Sequence, residues 1–201
     1  MGKQRANDPQ GMRNKVLDVA EQAFQSQGYH ATSLGDLMKA AGVSGGALHH
    51  HFPTKKAIGL AVIGERIAQA VRQTWIVPIH EARSAREGVR TVFTTVAAEL
   101  EAQKFVRGCP LNNLAHELSL ADPDFRIAFN IIFGQWQAAI EQAFVADQQA
   151  GREPASNVAS DFALKAVALY SGAMSMAKTA QDPAPLRICG AAFEADVAFA
   201  L

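Results

Sequence analysis

Apolar residues in this chain recur at intervals of three and four and rarely alternate with polar ones. Val16, Ala20 and Phe24 fall at i, i+4 and i+8, with Leu17 and Ala23 on the same stripe, the spacing of a helix with one buried face. Asn-Gly and Asp-Gly hairpin signals are absent from the sequence. The pattern predicts a first helix from about Gln10 to Gln27, closed by Gly28, and two short helices over Ser33 to Ala41 and Ser44 to Phe52. A long fourth helix starts near Thr54, reaches about Ile76 and is stopped by Pro78. A fifth spans Ala85 to Gln103. Arg107-Gly108-Cys109-Pro110 breaks the pattern and opens a sixth, and Asp122-Pro123 opens a seventh that runs to Gln149. After the loop-like stretch Gly151 to Ser156, an eighth helix covers Asn157 to Ala180 and a ninth Pro183 to Leu201. The expected fold is all-α with about nine helices: a three-helix helix-turn-helix head over residues 1–55 and a helical body over residues 56–201.

The densest local signal lies between Thr32 and Phe52. Thr32 or Ser33 caps the second helix by accepting an orphan backbone N–H. Leu34, Leu37 and Met38 face the first helix, and small Ala40 and Ala41 let the third approach. Gly42 supplies the left-handed backbone of a tight turn. Ser44 caps the third helix, while Leu48 and Phe52, four apart, bury its inner side. The outer side then presents Gly45, Gly46, Ala47, His49 and His50. The competing reading is an ordinary helical hairpin in a core. The run His49-His50-His51 does not suggest a metal site, because neighbours on a helix point about 100° apart.

Charge sharpens this picture. The whole chain of 201 residues carries no net charge. Residues 1–60, however, hold seven basic side chains (Lys3, Arg5, Arg13, Lys15, Lys39, Lys55, Lys56) against Asp8, Asp18, Glu21 and Asp36, and the rest of the chain has the matching acidic surplus. A basic head on an acidic body suits a protein with one DNA-facing end. Hydrophobic residues at 49% and charged ones at 19% exclude a disordered chain. No uncharged apolar run reaches 18 residues, so no membrane span is expected. The polar start MGKQRANDPQGMRNK does not read as a secretory signal, so a cytoplasmic location is expected. Two cysteines, Cys109 and Cys189, are too few for a disulfide framework or a Cys-rich zinc site, and no cofactor or metal is expected.

The segment resembles the TetR family of one-component regulators. The resemblance rests on Ala31-Thr32-Ser33-Leu34, Ala41-Gly42-Val43-Ser44, Gly46, Leu48 and Phe52-Pro53-Thr54-Lys55-Lys56. It implies a homodimer bound to a double-stranded DNA operator. Thr32 or Ser33, Ser44, His49, His50 and Lys55 would contact the backbone, and residues 45–50, with Gly45, Gly46 and Ala47 among them, would lie in the major groove. Two departures stand out: His49 replaces a usual Tyr, and Gly45 a frequent Lys or Arg that would read guanine. In the body, Arg107 to Ser119 with Asp122 to Arg126 is similar to the sixth and seventh helices of a branch in which a Gly-Cys pair opens the sixth. Tyr170 to Met174 also looks family-like. The resemblance implies repression relieved by a small-molecule effector, and a two-fold interface built from the last two helices.

The body holds the side chains an effector site needs: large aromatics at Trp75, Phe93, Phe105, Phe129, Phe133 and Trp136, and polar groups at Asn112, Asn113, His116 and Glu117. The alternative is that the aromatics are simply core. Cys109, at a helix start, is a candidate sensor thiol if the helix dipole stabilises its thiolate; otherwise it is packing. The candidate effector residues are therefore Trp75, Phe93, Cys109, Asn112, Asn113, His116, Phe133 and Trp136. A thiol-dependent enzyme using Cys109 and His116 is the second class considered. Seven residues separate the two along one helix, too far for a nucleophile–base pair, and no catalytic residues are assigned. A helical module that binds only protein is the third.

Overall fold

The computed structural model describes residues 9–194, and among these there are nine helices and no strand. They are α1 (Pro9–Gln27), α2 (Leu34–Ala41), α3 (Gly45–His51), α4 (Lys55 to Glu81), α5 (Ala85–Gln103), α6 (Pro110–Leu118), α7 (Pro123–Gln149), α8 (Ala159–Ala180) and α9 (Ala184–Ala191). The fold is all-α, as the periodicity predicts. The far end of the expected ninth helix, with Val197 and Phe199, lies outside the described residues, as do Lys3, Arg5 and Asp8 of the head. No helix among the described residues is long and apolar enough to cross a membrane.

Side-chain caps set most of the boundaries. Ser33 and Asp36 form a reciprocal capping box at α2, and Gly42 closes that helix at φ 63°. Ser44, Thr54, Ser84 and Asp122 cap α3, α4, α5 and α7. Asp147, buried near the end of α7, accepts the Ala85 N–H at 2.6 Å and pairs with Arg152 at 2.7 Å, tying the start of α5 to α7.

The fourth helix departs from expectation, because Pro78 does not stop it. The helix continues to Glu81 through two π-helical stretches, Val62–Ile67 and Arg72–Ile76. The second ends just before the proline, so the backbone is widened where its ring would otherwise meet the carbonyl of the preceding turn. The apolar spacing accounts for both stretches. Ile63, Ile67, Val71, Trp75 and Ile79 are all buried and are spaced strictly by four. In an α-helix each such step drifts about 40°, so Ile63 and Ile79 would face nearly opposite ways. The wider π turns cancel the drift and keep one face on the body.

One continuous core runs from the head into the body. Gly59 of α4 is where they press closest: a Cβ there would lie 2.9 Å from the Tyr29 ring and 3.0 Å from Phe125. Polar ties reinforce this seam. Arg13 of α1 grips Glu65 of α4 through both guanidinium nitrogens, Arg66 meets Asp18 at 2.8 Å, and Lys56 reaches Asp122 and Asp124 at 2.6 and 2.7 Å.

Candidate functional site

The head presents α3 as a short helix whose inner side is anchored by Leu48 and Phe52, 1% and 3% exposed. Gly46, His49 and His50 are exposed and Gly45 and Ala47 half-buried, so the outer side expected from sequence is outward. Its first turn is bare, since a Cβ on Gly46 would meet nothing within 4 Å, and His49 and His50 are the bulky groups of that side. Ser44 accepts the Ala47 N–H at 3.3 Å and Ser33 the Asp36 N–H at 3.1 Å, placing both hydroxyls at helix N-termini, where unpaired backbone N–H groups suit a phosphate. The Asp36 carboxyl is held below its usual range by hydrogen bonds from the Ser33 hydroxyl and backbone N–H.

Thr32 is a correction. Its side chain is fully buried and its hydroxyl donates to the Gly28 carbonyl at 2.8 Å. It pins the α1–α2 turn and neither caps α2 nor offers a hydroxyl to DNA. Lys55 is half-buried, with its ammonium 4.3 Å from the centre of the Tyr29 ring and 3.4 Å from the His30 carbonyl. Burial pulls its pKa down. With Arg13 and Lys56 in ion pairs, the basic surplus counted from sequence overstates what the head offers to phosphates.

In the body, the expected effector residues separate into two groups. Trp75, Phe93 and Trp136 are buried, while Phe105 is 55% exposed. Trp75 and Trp136, with Tyr170, Cys109 and other residues of α4, line a small cleft of about 50 Å³, room for little more than a water. Phe93 and Phe133 line neither this cleft nor the groove described next. Phe93 packs edge-on against Trp75 and Tyr170, and Phe133 stacks on Trp136. These aromatics are chiefly core. Cys109, Asn112, Asn113 and His116 instead line an open groove of about 550 Å³ between the end of α1, the start of α6 and the end of α8. Cys109 touches both spaces.

Glu117, one turn beyond Asn113, carries a contact that sequence reasoning missed. Its carboxylate accepts the backbone N–H groups of Tyr29 at 2.9 Å and His30 at 2.6 Å. Gly28, at φ 90°, turns the chain so that both N–H groups converge on one acceptor. The Gln25 amide donates to the Gly108 carbonyl at 3.0 Å beside it. The wall of the groove is thus also a strap between body and head.

The surroundings of Cys109 weigh against the sensor-thiol expectation. Burial pushes the Cys109 thiol up, outweighing the N–H groups of Asn112 and Leu111 aimed at its sulfur. Cys189 is half-buried and is also raised by burial. Graded maleimide labelling read by mass spectrometry should therefore modify Cys189 before Cys109; the opposite order would restore the thiolate reading. Among the described residues no cluster of His, Cys, Asp and Glu could hold a metal ion.

These features match known proteins in both halves of the chain. Residues 16–62 match the family model for bacterial regulatory proteins of the tetR family, and residues 85–192 match the C-terminal domain of LmrA/YxaF-like transcriptional regulators. The chain is 25% identical over 178 residues to the uncharacterized HTH-type transcriptional regulator YxaF of Bacillus subtilis, covering 87% of this chain and 88% of that protein. It is 25% identical over 177 residues to the HTH-type regulator LmrA of the same organism, covering 87% and 90%. Its fold superimposes with a TM-score of 0.78, at 22% identity and over 96% of this chain and all of the other, on a cysteine variant of the TetR family regulator CifR solved with a 26-base-pair operator. The chain belongs to the TetR family of DNA-binding transcriptional regulators, with a C-terminal domain of the LmrA/YxaF type.

Proposed function

We propose that this protein is a cytoplasmic homodimeric repressor whose two copies of α3 enter consecutive major grooves of an operator, and which lets go when a small molecule binds its body. The head extends to about residue 55, and residues 56–201 bind the effector and dimerise. The observation that carries the reading is α3 itself: a capped helix backed by Leu48 and Phe52, whose outward first turn is free of bulk. Gly45 and Gly46 allow the backbone close to the bases, Ala47 suits a thymine methyl, and His49 and His50 reach the backbone or base edges. Ser33, Ser44 and Lys55 hold the phosphates. With few long base-reading side chains, much of the specificity comes from DNA shape and half-site spacing.

A gel shift with the DNA upstream of the protein's own gene tests the reading directly, and lack of any shift at low salt would overturn it. Lys55→Ala should weaken binding to all sequences alike and flatten the dependence of log affinity on log salt by about one unit. An unchanged slope would show that the ammonium stays on Tyr29 when DNA is bound.

The dimer interface proposed is the outward side of α8 and α9. Leu164, Ala168, Gly172 and Met176 recur every four residues and are all exposed, and Ile188 of α9 is 72% exposed. Ala173, the next residue along α8 after Gly172, is 2% exposed and faces the protomer's own core. An apolar stripe of this kind is costly in water and is best covered by a second copy related by a two-fold axis.

A further inference from the structure

We propose that the groove where α1, α6 and α8 meet is the effector site, that it takes a small organic carboxylate, and that the occupant acts by loosening Glu117 from the backbone of Tyr29 and His30. The inference rests on reading the chain as an effector-released regulator and assigns that reading a place, a ligand class and a lever.

Size decides the place. The aromatic cleft of about 50 Å³ has no room for an organic effector, whereas the groove of about 550 Å³ falls within the span of small-molecule sites. Its chemistry decides the class. Lys178 lies on the α8 wall, and its ammonium is held only by the Asn113 carbonyl oxygen at 3.1 Å; among the described residues no acid pairs with it. Asn112, on the α6 wall, is 8% exposed and its Nδ2 has no hydrogen-bond partner. Such a buried donor is costly unless something accepts from it. The one acid in the wall, Glu117, already has an N–H on each carboxylate oxygen. Lys178 thus offers the groove a cation with no acid to meet it, which favours a ligand that brings a carboxylate.

The same geometry supplies the lever. A carboxylate drawn to the Lys178 ammonium lies beside Asn113, one helical turn of α6 from Glu117. Like charges at that spacing oppose each other. The repulsion, about 0.2–0.5 kcal/mol, weakens the hold of Glu117 on the two N–H groups and so loosens the α1–α2 turn and with it the placement of α2 and α3.

The test uses the full-length protein without DNA, so failure of the groove to bind is read separately from failure to bind an operator. Acetate, butyrate and benzoate are titrated by calorimetry beside their amides. The expected result is saturable binding of at least one acid, its amide at least about tenfold weaker, with Lys178→Met removing most of that difference. Ser175→Trp, which fills the groove from α8, should abolish binding. Hydrogen exchange at the Tyr29 and His30 amides should rise about twofold on saturation. The proposal is overturned if none of the three acids binds, if acid and amide bind alike, if neither variant alters binding, or if the two amides exchange no faster with the site filled.

Discussion

A Gly172→Glu protein is expected to be monomeric at micromolar concentration and to bind operator at least about a hundredfold more weakly than wild type. Gly172 sits mid-way along the Leu164, Ala168, Gly172, Met176 stripe, and a Cβ there meets nothing of its own chain within 4 Å. The protomer can therefore accept the new side chain without internal clash. Across a two-fold axis the same position faces or neighbours its copy, so two carboxylates would be buried together in an apolar seam. Like-charge juxtaposition in an interface costs several kcal/mol, and each 1.4 kcal/mol is about a tenfold change in association. A monomer keeps one α3 and loses the paired half-sites, whose centres must lie roughly 34–36 Å apart or a multiple of a turn. Light scattering and a gel shift decide it. Ala173→Glu is the informative neighbour: aimed into the core, it should lower thermal stability, whereas Gly172→Glu should leave each protomer's fold intact. A Gly172→Glu protein that remains dimeric would move the interface elsewhere.

Glu117→Ala should loosen the head while leaving the body folded. The substitution removes the acceptor of two N–H groups at once. Each bond to a charged group contributes about 1.5–3 kcal/mol when sheltered, but Glu117 is half-buried and water can take its place, so the net loss is about 1–3 kcal/mol. That corresponds to roughly a five- to hundredfold rise in opening of the α1–α2 turn. The rise should appear as faster hydrogen exchange at Tyr29 and His30, with amides of α7 and α8 unchanged, and as weaker operator binding through a less well-placed α3. Glu117→Gln, which keeps one acceptor oxygen, should fall between. Uniform acceleration across the whole chain would mean that Glu117 stabilises the fold at large and has no special hold on the head.

The contrast between local and distant contacts explains what the sequence made legible. Helix limits set by caps could be read because cap and capped group are a few residues apart: Ser33 with Asp36, Asp122 before Pro123, Ser84 ahead of Ala85. The outward side of α3 followed from Leu48 and Phe52 alone. The Glu117 strap spans 88 residues to Tyr29, and nothing local marks it except Gly28, whose turn leaves N–H groups in search of an acceptor. Thr32 and Ser33 were equivalent as candidates until packing buried one and exposed the other. The aromatics were read as both core and pocket; only the space left between them separates the two. For α8 the apolar residues were visible, but the side each faces was not, because the helix is apolar on more than one side. The strict spacing by four in α4 was a legible signal, and it outranked the proline.

That spacing has a consequence for how the family can diversify. Each π turn in α4 amounts to one residue more than an α-helix needs, and one residue corresponds to about 100° of azimuth. Removing a residue from Val62–Ile67 or Arg72–Ile76 would therefore restore α pitch while leaving the stretches on either side nearly in phase, because the wider turn absorbs the extra residue without passing its rotation on. The two π turns are thus places where the chain can lose one residue and keep the aim of α3, whereas a deletion in a purely α-helical part of α4 would turn the head by about 100°.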